Sequence, residues 1–421
     1  MPGLARGDMS MSDILTFAKT NWRGTEKTFG LLHRDRQFPT WLLGKTGRGK
    51  STVMENVAIQ DMRAGRCVFY VDPHGSSAKR LLEYVPKWRT RNTVYFCPSD
   101  IDYPLGLNLL ENVNADTRHL VVSAIVSTFK SLWEPYFLHL QEQLLTMATA
   151  SLLEAGGSYT LLDIPPLLTD AKFRAGVVER IQDPMLKQFW EHDFDARKPE
   201  YRAESLAPIL NKLSFFYMSR PIRHIIMQRR PKVSLEQVRE QNQIFIANLA
   251  GIGRQEAILV ANLLAAKLFL VASNVPESER TEIDFFADEI GLILGHMLEA
   301  YLSESRKLLL RLMLANQFTQ QLGKLLPSFF GNVGNFIVFT LGADDAEVLA
   351  PHVAPEFTAQ DLQSLSAYEV IVRLSVNGQT SRPFFGNTLP PLRQAKNEGR
   401  SEHIIRNSRE RFAMRAAALS P

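Results

Sequence analysis

Two apolar periodicities share this chain. Short consecutive apolar runs, each ending at a polar or small residue, read as strands buried on both faces. They recur at WLL (41–43), RCVFYVD (66–72), TVYFC (93–97), QIFIANL (243–249), TEIDFFADE (281–289), LLLRLMLANQ (308–317) and NFIVFTL (335–341). Between them lie segments whose apolar positions recur every three or four residues, which predicts helices. One is STVMENVAIQDMRAG, closed by Gly65; another spans 255–273, and a third runs to about residue 307. Strands alternating with helices predict a mostly parallel sheet of α/β class. YEVIVRLSVNGQTSRPFF (368–385) predicts a hairpin turning at Asn377-Gly378.

The alternation is broken once. Strands 93–97 and 243–249 are separated by far more chain than one crossover needs. From about 116 to 235 the pattern is helical (VVSAIVSTFKSLW, LHLQEQLLTMATASLLEAG, SLAPILNKLSFFYM), punctuated at Gly156-Gly157, Pro165-Pro166 and Pro184. An all-α insertion is therefore expected there, which also suits 421 residues, too many for one ordinary core.

Composition adds little beyond a folded, water-soluble chain: 45% hydrophobic and 22% charged residues exclude disordered and fibrous classes. The net charge of +4 is confined to the end, where seven Lys or Arg stand against three Asp or Glu from Arg393 onward. Such a tail either touches nucleic acid or an acidic partner, or is a solvated terminus. Cys67 and Cys97 lie in apolar runs and fit a reducing compartment. MPGLARGDMSMSD has no apolar leader region, and ILVANLLAAKLFLVA (258–272) is short and interrupted by Asn262 and Lys267, so neither a signal peptide nor a membrane span is expected.

The candidate chemistry sits at the ends of the strands. Gly44, Lys45, Thr46, Gly47, Arg48, Gly49, Lys50 and Ser51 satisfy G-x4-G-K-[ST] between a strand and a helix, with Thr52 following. The glycines let backbone N–H groups wrap phosphates, Lys50 reaches the β and γ phosphates, and the Ser51 hydroxyl takes one Mg²⁺ position. The run through Ile283 and Phe286 delivers Asp288 and Glu289 to the carboxyl end of a buried strand, where open α/β sheets bind ligands. Asp288 suits Mg²⁺ through water, and Glu289 suits activation of an attacking water; a helix-capping acidic pair is the plainer alternative. Gln317 ends the next strand, placed to sense the γ-phosphate or the lytic water, while Asn316 could simply cap a helix. Arg306 lies at a helix end, where a cation also favours the macrodipole.

GKTGRGKST, YVDPHG, FFADEIG, LSESRKLLLRLMLANQ and FFGNVGNFIVF, in that order, resemble the HerA/FtsK superfamily of P-loop ATPases, most closely the coupling proteins of conjugation and type IV secretion. The resemblance covers roughly residues 28–390 and implies a RecA-like core with an additional strand between the Walker A and Walker B strands. It divides the chain into a nucleotide-binding domain of two parts (1–115 and 236–390), the all-α insertion (116–235) and a basic tail (391–421). It also implies ATP with Mg²⁺, a homo-hexameric ring, ATP hydrolysis and sequence-independent DNA translocation. Arg306 would be the finger offered to a neighbour's nucleotide, with Arg373 and Arg382 in reserve. DNA contacts would fall to basic loops, for which Arg89-Thr90-Arg91 and Arg229-Arg230-Pro231-Lys232 are candidates that equally suit a solvated face.

Two departures from the family are expected: none of the usual N-terminal membrane helices is read in this sequence, and Ile290-Gly291 follows Glu289, where relatives often have an aromatic and a polar residue. Without an anchor it is expected in the cytoplasm or at the inner face of the membrane, held by a secretion-channel or relaxosome protein. The same core would also serve to move protein cargo, or act as a nucleotide-gated adaptor that recruits cargo through its helices.

Overall fold

Each apolar run named above becomes a strand of one sheet in a computed structural model, which describes residues 14–22, 25–196, 198–294, 297–393 and 399–419. Residues 1–13, where the leader was judged missing, lie outside it, as do 394–398 and 420–421 of the basic tail. Among the described residues the strands are β1 (Ile14–Trp22), β2 (Thr25–Leu32), β3 (Thr40–Leu43), β4 (Cys67–Asp72), β5 (Thr93–Phe96), β6 (Ile244–Asn248), β7 (Ile283–Ala287), β8 (Leu310–Asn316), β9 (Asn335–Val338), β10 (Glu369–Arg373), β11 (Ser375–Val376), β12 (Gln379–Thr380) and β13 (Phe384–Thr388). The main sheet runs β2-β1-β13-β10-β9-β3-β8-β7-β4-β6-β5, and β11 with β12 forms the hairpin tip at Asn377-Gly378.

From β9 to β5 neighbouring strands are parallel. Their carboxyl ends therefore share one edge. β8 lies between β3 and β7, so the strand ending at the P-loop and the strand ending at Asp288 are separated by the additional strand expected of a RecA-like core.

The described residues between Ala115 and Glu240 form helices and turns without a strand, among them Arg118–Trp133, His139–Ala155 and Pro199–Met218. The insertion shares its core with the sheet: Phe129 and Trp190 belong to the same buried cluster as Trp41 and Phe285. Arg254–Ser273 is, among the described residues, the one helix long and apolar enough to cross a membrane, and 78% of that stretch is buried. Its Lys267 donates to the Glu111 carbonyl at 2.8 Å.

The two ends of the described chain hold elements that the sequence pattern does not predict. In β1 a bulge between Thr16 and Ala18 puts Phe17 and Ala18 both inside, which erases the period of two a strand normally shows. Its partner β2 is exposed over its first four residues, with Glu26 and Lys27 among them, which suits an edge strand. In the basic tail, Arg400–Phe412 is a helix that buries Ile404, Ser408 and Phe412. It covers the other edge of the sheet: the Tyr95 amide of β5 donates to Ser408 Oγ at 2.9 Å. The expected helix running to residue 307 is instead two short ones, Ile290–Ile293 and Leu298–Glu304.

Beneath β7, at the edge away from the P-loop, three ionisable groups are fully buried. Arg36 Nη1 donates to Asp61 Oδ1 and Oδ2 at 2.9 and 2.8 Å and lies 3.0 Å from Asp284 Oδ1, all three side chains being at most 2% exposed. Burial pushes the Asp284 carboxyl up to about 7, against the pull of Arg36. Asp61 keeps a second partner, Arg66 Nη1 at 2.6 Å, but removing Arg36 strips the Asp284 carboxylate of its ion-pair partner in a dry site, so Arg36→Met is expected to cost about 3–5 kcal/mol. Because the raised Asp284 takes up a proton as pH falls through about 7, the loss should be smaller at pH 6 than at pH 8. Urea denaturation at the two pH values checks both the size and the sign.

Candidate active site

The P-loop begins where β3 stops. The Gly44 and Lys45 amides donate to the Asn316 and Thr340 carbonyls at 3.4 and 3.0 Å, tying the loop to the last residue of β8 and to the chain just beyond β9. Gly47 and Gly49 adopt φ of 75° and 115°, a region side chains disfavour, and a Cβ on Gly44 would stand 2.6 Å from the Phe339 Cβ. Gly49 precedes the helix Lys50–Arg63, whose first turn aims its unpaired N–H groups at the loop. Lys50 is 6% exposed and folds over that loop, its Nζ 3.0 Å from the Lys45 carbonyl. Burial draws its pKa down, and the charges of Asp288 and Glu289 oppose the shift.

β7 is buried throughout and releases its chain at Asp288. The Asp288 carboxylate accepts from Ser51 Oγ at 3.0 Å. Burial pushes its pKa upward, with the Ser51 hydrogen bond and Lys50 acting against it. Glu289 follows at φ 58°, a left-handed conformation that a non-glycine residue holds only where its surroundings impose it. Its side chain is 12% exposed. Gln317 Nε2 donates to Glu289 Oε1 at 2.9 Å, and Thr46 Oγ1 donates to Gln317 Oε1 at 2.9 Å. One hydrogen-bonded chain thus runs from the P-loop through the strand-end amide to the carboxylate.

The fold brings Lys50, Ser51, Asp288, Glu289 and Gln317 together, and Thr46 joins them. Lys45 and Gly47 are exposed on the loop, Arg48 and Thr52 half-buried; the Arg48 carbonyl accepts from the Tyr368 amide at 3.1 Å. Arg306 is elsewhere. It is exposed at the opposite end of β8 from Gln317, about 23 Å away along seven strand residues, with its guanidinium 5.3 Å from the Phe38 ring centroid. It cannot reach the nucleotide loop of its own subunit.

Both basic clusters are altered by packing. Arg89 is 1% exposed and donates to the carbonyls of Met62, Arg66 and Asn242, so it joins three chain segments and offers nothing to DNA. Arg229 Nη2 pairs with Asp163 at 3.0 Å. Of the reserve arginines, Arg373 is half-buried, donating to the His352 carbonyl at 3.0 Å and lying over Phe336, whereas the Arg382 side chain is 92% exposed.

Sequence reasoning passed over His74, whose Nε2 lies 3.0 Å from Glu289 Oε1. The available signal was YVDPHG, polar residues at the carboxyl end of a buried strand. Beside this pair opens a cleft of about 590 Å³, with His74, Arg254, Glu289, Gln317 and Gln321 among its walls.

No family model and no curated protein matches the sequence. Solved structures do. The bacterial conjugative coupling protein TrwBdeltaN70, in its unbound form, superposes with a TM-score of 0.66 at 13% identity, over 88% of this chain and 89% of that one. The fold is that of a conjugative coupling protein. TrwB bound to the non-hydrolysable ATP analogue ADPNP gives a TM-score of 0.64 at 15% identity, covering 94% and 98% of the two chains. VirB4 of Thermoanaerobacter pseudethanolicus gives 0.59 at 14%, covering 94% and 100%. The coupling-protein fold thus accounts for the insertion as well as the sheet.

Proposed function

We propose that this chain is a magnesium-dependent ATPase that works as a six-membered ring and moves DNA, a coupling-protein-type motor of conjugation or type IV secretion. One observation carries the enzymatic half: the hydrogen-bonded chain Thr46–Gln317–Glu289, which joins a phosphate-binding loop to a carboxylate at the same sheet edge. A scaffold that only binds nucleotide needs neither Gln317 nor Glu289. TrwB structures hold ADP with Mg²⁺ and nucleotide analogues on the same fold, which supports the choice of ligand.

Ser51 and Asp288 supply two hard oxygen donors, and among the described residues no group of three or more His, Cys, Asp or Glu could hold a metal by itself. That donor set suits Mg²⁺ arriving with nucleotide phosphates and keeping several waters. Bound there, the ion would offset phosphate charge. Lys50 and the loop amides bind the phosphates. Glu289 takes a proton from a water whose oxygen attacks the terminal phosphorus, the bond to the bridging oxygen breaks, and ADP and phosphate leave. Gln317, bonded to both Thr46 and Glu289, orients the base relative to the loop.

For DNA, support comes from a basic cleft of about 550 Å³ beside the C-terminal helix, walled by Tyr103, Lys232, Arg406, Arg409 and Arg415 with Glu410 as the acidic member. Arg409 lies over the Tyr103 ring at 4.9 Å and pairs with Asp100 at 2.7 Å. Reversing two of its cations, Arg406→Glu with Arg415→Glu, is expected to weaken DNA binding at every sequence and to lower the slope of log affinity against log salt by about two. Fluorescence anisotropy across a salt series reads this, with ADP binding as the control that should not move.

The test of the whole reading is ATP hydrolysis by the full chain with and without single- and double-stranded DNA. DNA-stimulated turnover that needs Mg²⁺ supports the motor. Nucleotide binding without turnover would assign the chain to the adaptor class instead. We place the ring on the cytoplasmic side of the membrane, docked to a secretion-channel or relaxosome protein.

A further inference from the structure

His74 stands on a turn whose backbone is fixed from three sides. The Asp72 carboxylate accepts from the His74 and Ala78 amides at 2.8 Å each. Gly75, at φ 80°, packs so closely that an added Cβ would lie 2.4 Å from Asn248 Oδ1. Asn248 is itself held, donating to Tyr95 Oη at 2.7 Å and accepting from the Ala250 amide at 3.1 Å. On this rigid base the imidazole is 60% exposed and faces the cleft. An ion pair this open adds little to stability, so what it does for Glu289 is set by direction.

Nε2 of His74 and Nε2 of Gln317 meet on the same oxygen, Glu289 Oε1, at 3.0 and 2.9 Å. Among the described residues no donor reaches Oε2. Approaching from the turns that follow β4 and β8, the imidazole as ion-pair partner and the amide as hydrogen-bond donor anchor Oε1 and leave Oε2 to accept the proton of the attacking water. We propose that His74 is a positioning residue for ATP hydrolysis, which holds the Glu289 carboxylate from the β4 side of β7 as Gln317 does from the β8 side. The inference rests on Glu289 being the base, and it gives a role to a residue of YVDPHG that the reading of the P-loop, Asp288, Glu289 and Gln317 leaves without one.

The state of His74 bears on the test. Burial disfavours its protonation, but the hydrogen bond to Glu289 and the charges of Glu289, Asp72 and Asp288 outweigh it, so its pKa is raised. Those carboxylates come from the ends of β4 and β7; Arg254, heading the helix Arg254–Ser273, is the cation lining the same cleft. The rate should therefore fall on the alkaline side, as the charge-assisted bond to Glu289 becomes a neutral one.

The experiment measures steady-state ATP hydrolysis with Mg²⁺, and ADP affinity, for the full chain and its His74→Ala and His74→Gln variants between pH 6 and pH 9. Alanine is expected to lower kcat by about 10- to 100-fold with KM and ADP affinity unchanged. Glutamine, whose Nε2 can donate to the same oxygen, should recover most of the rate but lack the alkaline limb. The proposal is overturned if alanine turns over like the wild type. It is equally overturned if glutamine is as slow as alanine while ADP affinity is intact, since a role confined to holding the turn would give that pattern. A wild-type chain without hydrolysis, or a Glu289→Gln variant at wild-type rate, removes the underlying assignment and this one with it.

Discussion

Replacing Arg306 with alanine is expected to slow ATP turnover by about 10³- to 10⁵-fold in the assembled protein, the range measured for arginines that complete a phosphoryl-transfer site in trans. The geometry rules out a role for Arg306 at the loop of its own chain, so the proposed finger could act only on a neighbour. Arg306 is at the amino end of β8 and the P-loop at the carboxyl end of the adjacent β3, so no side-chain movement brings the two together within one subunit. The alternative is local: a guanidinium stacked on Phe38 just beyond the helix Leu298–Glu304. In that case alanine removes a cation–π contact worth about 0.5–1 kcal/mol and leaves turnover unchanged. Mixing separates the two outcomes. Subunits with Lys50→Ala cannot bind phosphates and subunits with Arg306→Ala cannot complete a neighbour's site, yet a mixed ring contains interfaces with an intact loop on one side and an intact arginine on the other. Partial recovery of activity in mixtures of two inactive variants is the expected result, and its absence would end the finger assignment.

How far the sequence alone led follows from what each residue depends on. A strand buried on both faces must be apolar along its length, so the residues where polarity returns mark its end, and Gly44, Asp288, Glu289 and Gln317 could be located that way. β8 was legible for the same reason, whereas its place between β3 and β7 came from the resemblance and not from the apolar pattern. Elements whose pattern is distorted were not. The bulge in β1 hides its periodicity, and the helix Arg400–Phe412 carries its apolar contacts at 404, 408 and 412, where Ser408 breaks the stripe by serving as a hydrogen-bond acceptor for β5. Charge was the least transferable signal. Arg89 looked like part of a basic loop but is consumed by three backbone carbonyls, whereas Lys232 and Arg415, remote in sequence, share one cleft. His74 needed the fold, because its relation to Glu289 depends on β4 and β7 pairing in register, Val71 beside Ala287.

Glu289→Gln is expected to lower kcat by about 10²- to 10⁴-fold, the usual contribution of a positioned general base, while leaving ATP binding and assembly intact. The amide keeps an oxygen able to accept from Gln317 Nε2 and His74 Nε2, and a glutamine tolerates the φ of 58° as well as a glutamate does, so the local geometry should survive. Only the capacity to take the water's proton is lost. The measurement is single-turnover phosphate release from ATP bound in excess enzyme, which isolates hydrolysis from product departure. Asp288 is the neighbouring carboxylate that could substitute, and its position argues against it: one oxygen accepts from Ser51 Oγ at 3.0 Å and the other from the Glu289 amide at 3.1 Å. Retention of wild-type phosphate release by Glu289→Gln would therefore leave the edge of this sheet without a base, and the strained conformation at position 289 without a chemical reason.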